Sequence, residues 1–88
     1  MSLSVELTNK VYARDGWKCR HCKNRNGLHP HHFVYQSHQG PDLMSNLLTL
    51  CASCHTGHHA GHLDIILIEQ TKDDLIVRFV RKGKWKPT

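Results

Sequence analysis

LHPHHFVYQSHQGPDLMSNLLTLCASCHTGHH, residues 28–59, decides how the rest of the chain is read. It holds the adjacent pair His31 and His32, an asparagine (Asn46) at the edge of an apolar run, and Cys51-x-x-Cys54 opening into a histidine-rich turn. A second Cys-x-x-Cys, Cys19 and Cys22, stands upstream. Zinc takes four tetrahedral thiolate or imidazole ligands, and ligands two residues apart fit a tight knuckle. Cys19, Cys22, Cys51 and Cys54 are therefore expected to hold one structural zinc. The spacing between the knuckles exceeds that of a simple zinc ribbon, so a substantial insert is expected there. Two such spacings are rare by accident, and no secretory signal opens the chain. Reduced thiols are thus expected over disulfides, which suits a cytoplasmic setting.

The histidines carry the second signal. His31 and His32 are consecutive at the end of an expected strand, so they point to opposite sides or are split by a bend. One can bind an ion while the other faces a substrate. His55 and His59 are four apart at a helix start and share one face, a spacing that can chelate a single ion. His31, His55 and His59 form the expected set for a second metal. His58 and His62 are close enough to compete for the third place. His21, His29 and His38 read as solvated polar residues.

In order and spacing these residues resemble the HNH endonucleases of the ββα-metal (His-Me finger) fold. The resemblance rests on Cys19–Cys22, then Leu28-His29-Pro30-His31-His32-Phe33, Gly40-Pro41-Asp42, Asn46-Leu47, and Leu50-Cys51-Ala52-Ser53-Cys54-His55. It covers about half the chain, and the name letters fall on His32, Asn46 and His55. The resemblance implies metal-assisted hydrolysis of DNA phosphodiesters that leaves a 5′-phosphate and a 3′-hydroxyl. It implies His32 as general base and Asn46 as the residue that ties down the loop and aims His32. An ordinary imidazole titrates at about 6.5, which suits a base near neutral pH. The chain departs from many members, which have Asp at the position of His31 and Asn at that of His55. Three imidazoles without a carboxylate favour Zn²⁺, Mn²⁺, Ni²⁺ or Co²⁺ over Mg²⁺.

Composition agrees. With 88 residues, 39% hydrophobic, a large core is out of reach, and a metal staple is expected. The formal net charge of +5 suggests a polyanionic partner, here DNA. No apolar run approaches the roughly 20 residues that span a bilayer, so no membrane partner is expected.

The chain is expected to be a single α+β domain over residues 1–88. Its metal-finger core covers about 17–61 and a C-terminal β-hairpin about 63–86. Ser4 to Arg14 reads as a helix stopped by Asp15-Gly16, packed against the knuckle with Trp17 as anchor. Arg20, Lys23 and Arg25 decorate the knuckle. Leu28 to Tyr35 reads as the first strand, Ser45 to Leu50 as the second, and Ala52 to Ala60 as the metal-finger helix with Gly61 as its cap. Leu63 to Glu69 and Leu75 to Arg81 form the hairpin. Arg78, Arg81, Lys82, Lys84 and Lys86, with Trp85 among them, are expected to meet phosphates. A solvated edge strand would look the same.

With one site per chain, the expected activity is nicking with weak sequence selectivity by a monomer or weak dimer. The competing expectation is a catalytically silent zinc module that binds nucleic acid or protein.

Overall fold

The computed structural model describes residues 3–88. The N-terminal helix α1 spans Val5–Arg14, capped by the Ser4 hydroxyl, which accepts from the Leu7 amide at 3.1 Å. Strands β1 (Leu28–His32) and β2 (Leu47–Cys51) pair antiparallel, with His31 opposite Leu48 and His32 opposite Leu47. Helix α2 (Ala52–His59) follows β2 without a loop. Strands β3 (Leu63–Gln70) and β4 (Leu75–Arg81) form a separate hairpin with a bulge between Leu67 and Glu69. The protein is thus a small α+β fold with two helices and two small antiparallel sheets. No helix among the described residues is long and apolar enough to cross a membrane.

β2 is buried at every position, because α1 covers one side and α2 the other. The core joins Leu48, Leu50, Leu63 and Leu75 to Cys19, Cys51 and Cys54, so the thiols lie inside it rather than at its rim. α2 is eight residues long and rich in weak helix formers, too short to persist alone. Its first turn is fixed by the Cys51 sulfur, which accepts from the Cys54 amide. It ends in a Schellman turn: the Gly61 amide donates to His58 O and the His62 amide to Gly57 O, with Gly61 at φ +84. Ala60 is therefore the cap residue and Gly61 the left-handed position after it.

β1 is shorter than its apolar run suggests and stops at His32. Asn46 takes over as partner beyond that point: the Val34 amide donates to its Oδ1 at 2.8 Å and its Nδ2 donates to Val34 O at 3.0 Å. Gly40 crosses this segment so closely that a Cβ would lie 1.7 Å from Val34 O, which leaves no room for a side chain.

Trp17 does not anchor the knuckle. It is 48% exposed and meets Tyr12 edge-on. α1 is held instead by buried Val11 and by the Tyr12 hydroxyl, which donates to Leu28 O. Trp85, in the basic tail, is docked on the fold. It lies against Gly57 of α2, where an added Cβ would come within 2.2 Å of the indole, and it stacks on His62.

A polar hub that the sequence does not announce ties the pieces together. Asp15, 4% exposed at its side chain, accepts two bonds from Arg14 and one from the Thr49 amide. Arg14 also donates to Met44 O and Leu47 O, each at 2.6 Å, and to Asp73 O. Arg20, expected only to decorate the knuckle, donates to Asp74 and to Leu75 O. Removing one member of a buried pair strands the other charge. Asp15→Ala is expected to cost about 3–5 kcal/mol by urea denaturation. A loss under about 1 kcal/mol would show that the hub is a solvated surface cluster.

Candidate metal centres and catalytic site

The four sulfurs of Cys19, Cys22, Cys51 and Cys54 lie within 4.8 Å of one another, and all four residues are free thiols. Zn–S bonds of about 2.3 Å in a tetrahedron put sulfurs about 3.8 Å apart, and Cys22 and Cys51 are 3.5 Å apart here. Burial pushes the Cys54 thiol up, and charge on Cys19 pushes it further. At Cys19 burial also pushes upward, but hydrogen bonds from the Cys22, Cys51 and His21 backbone overcome it and the thiol is lowered. Four such sulfurs become thiolates together only around a cation. Donor type, spacing and mutual repulsion all fit a structural zinc.

His21 belongs to this centre, not to solvent. Its Nδ1 is 3.2 Å from the Cys54 sulfur and its Nε2 is 3.1 Å from Arg81 Nε. The guanidinium can only donate, so Nε2 accepts and Nδ1 carries the proton toward sulfur. Arg81 is thereby committed to the knuckle. Lys82 pairs with Asp64 at 3.3 Å, while Arg78, Lys84 and Lys86 are exposed.

The second centre sits in a cleft of about 350 Å³ bordered by His31, His32, Tyr35, His55 and His59. The ligand nitrogens of His31, His55 and His59 lie within 4.8 Å of one another. His31 comes from β1, the other two from successive turns of α2, with their Nε2 atoms 2.9 Å apart. His31 is 3% exposed and its Nε2 has no hydrogen-bond partner. A buried, unpaired nitrogen is costly unless something occupies it. Burial, followed by the neighbouring imidazoles His58, His55 and His59, lowers its pKa to about 3. It is neutral at pH 7, with its lone pair ready for a cation. His55 is lowered too, first by burial and then by His59. These three imidazoles fit a divalent ion.

His58 and His62 stand apart from that set. His58 Nδ1 is 2.7 Å from Leu63 O and its Nε2 is 3.0 Å from the Tyr35 hydroxyl. His62 stacks on Trp85. His29, exposed, tilts against His55 with ring centres 5.4 Å apart.

His32 borders the same cleft but reaches the loop after β1, where its Nε2 is 2.8 Å from Asp42 Oδ1. The hydrogen bond from His32 is the first cause holding the Asp42 carboxyl below its ordinary range, with Gln36 second. Asn46 is 2% exposed and binds both Val34 and, through Nδ2, Pro41 O at 3.0 Å. It thus joins the end of β1 to the loop that carries Asp42. In the sequence Asp42 is part of a motif but has no evident chemical role. Its pairing with His32 spans ten residues of loop, which spacing alone does not close.

The HNH endonuclease family model matches residues 19–61, the segment that holds both knuckles and the imidazoles of His31, His55 and His59. The chain is also similar to Anaredoxin of Nostoc sp. (strain PCC 7120), at 36% identity over 57 residues, covering 64% of this chain and 75% of that protein. No solved structure matches the chain at a significant level. With its knuckles, strands and metal-finger helix in the family's order, the chain belongs to the HNH endonuclease family.

Proposed function

We propose that the protein is a metal-dependent DNA endonuclease that hydrolyses phosphodiesters to a 5′-phosphate and a 3′-hydroxyl. The observation that carries this reading is the buried, unpartnered His31 nitrogen facing His55 and His59, beside the His32–Asp42 pair. A divalent ion held by His31, His55 and His59 would act as a Lewis acid on the scissile phosphate and its leaving oxygen. His32 would take the proton from the attacking water. Asp42 accepts from Nε2, which leaves Nδ1 as the ring's basic nitrogen and favours the imidazolium formed, as the carboxylate of a Ser-His-Asp triad does. Asn46 keeps β1 and the loop in register, so that His32 and Asp42 stay in reach of each other.

Supercoiled plasmid incubated with protein stripped of its histidine-bound ion, with and without added Mn²⁺, Co²⁺, Ni²⁺ or Zn²⁺, tests the reading. Metal-dependent conversion to the nicked circle is expected. Intact plasmid under every ion, with DNA still retained by the protein, would make the chain a silent binding module.

DNA contact in this reading is phosphate-driven and weakly selective. α2 is committed to the two centres and α1 is packed against β1 and β2 through Val11 and Tyr12, so neither helix among the described residues is a long free recognition helix. Lys84 and Lys86 flank the docked Trp85, and both are exposed. Replacing both with Ala is expected to reduce the slope of log K against log salt by about 1.8, at about 0.9 per phosphate lost. An unchanged slope would return the tail to a solvated strand end.

A further inference from the structure

Although it stands outside the His31, His55 and His59 set, His58 has the ring centre nearest to His31 among the imidazoles of α2. Their ring centres are 4.9 Å apart, against 5.2 Å for His55 and 5.7 Å for His59. Yet its nitrogens are engaged elsewhere. Leu63 O can only accept, so His58 Nδ1 carries the proton and donates at 2.7 Å. Nε2 is then a lone pair, and the Tyr35 hydroxyl must donate into it at 3.0 Å. An Nδ1–H bound to a backbone carbonyl is the usual dress of a histidine that ligates metal through Nε2. His58 is thus prepared as a ligand and masked by one phenol.

Resting on the proposed three-histidine ion site, we propose that His58 is a latent fourth ligand and that Tyr35, by occupying His58 Nε2, keeps the ion's coordination open for phosphate. A fourth imidazole would turn an open catalytic site into a closed structural one. Tyr35 is fixed in the masking position, because it lies over His59 with ring centres 5.5 Å apart and borders the cleft beside His31. Its ring remains as Phe, so Tyr35→Phe removes the mask with little change in packing.

The test is titration of Co²⁺ into the zinc-loaded full chain, read by visible absorption and calorimetry. Parent, Tyr35→Phe, His58→Ala and the double variant are compared. Parent protein is expected to bind one Co²⁺ with the weak bands of a water-bearing site. Tyr35→Phe is expected to bind about 10-fold tighter, within the range seen when a metal ligand's partner changes, with intensified tetrahedral bands. Adding His58→Ala should restore the parent spectrum, and His58→Ala alone should leave affinity unchanged. A parent-like spectrum and affinity in Tyr35→Phe overturns the mask, as does weakened binding in His58→Ala alone. Parent protein that takes up no Co²⁺ overturns the underlying three-histidine reading instead.

Discussion

Stripping the metal from the four cysteines is expected to unfold the whole chain, not only the knuckles. Three of the thiols, Cys19, Cys51 and Cys54, are core residues packed with Leu48, Leu50, Leu63 and Leu75. The Cys51 sulfur also caps α2, so its loss frees the helix that carries His55 and His59. His21 and Arg81 fasten the hairpin to the same cluster. Binding of a structural zinc is worth about 10–16 kcal/mol and is folding free energy when the apo chain has no site. That is as large as the whole margin of roughly 5–15 kcal/mol by which a domain is ordinarily stable. A strong chelator, or Cys22→Ser at the most accessible ligand, should therefore abolish far-UV circular dichroism and amide dispersion together. Milder chelation that empties only the histidine cleft should leave both intact. An apo chain that keeps its dispersion and its Tm within a few degrees would show that the leucine core suffices without metal.

The parts of this fold that are legible in the sequence are those whose partners are close in the chain. Cys-x-x-Cys, the His55–His59 spacing and the two Ile-, Leu- and Val-rich runs of the hairpin each encode their own geometry within a few residues. What sequence does not show lies between distant positions. Asp15 meets Thr49 across 34 residues, His21 meets Cys54 across 33, and Arg81 meets His21 across 60. Nothing local marks Asp15 as more than a helix stop, or His21 as more than a polar knuckle residue. Trp17 and Trp85 exchange their expected places for the same reason: composition gives an indole's appetite for burial but not the surface available to it. One local signal does point to the docked indole. Gly57 inside a short helix costs about 1 kcal/mol in helix propensity, and such a residue often marks close approach by another group. That group is Trp85.

His32→Ala is expected to lower cleavage about 10²–10⁴-fold, the usual loss on removing a general base, while leaving ion uptake unchanged by calorimetry. The separation follows from direction. His31 turns toward α2 and the other imidazoles, whereas His32, one residue on, turns to the loop and Asp42. Under the proposed assignment, removing His32 takes away a proton acceptor without touching the donors of the ion. His31→Ala or His55→Ala should do the reverse and weaken ion binding first. Asp42→Asn refines the assignment. An amide at that position can still meet His32, but it no longer carries the charge that favours imidazolium. The expected result is a fall in kcat with KM and ion affinity near parent values. A His32→Ala protein that cleaves at the parent rate would remove His32 as the base. If it instead loses ion affinity as far as His31→Ala does, His32 belongs with the metal ligands and the base lies elsewhere in the cleft.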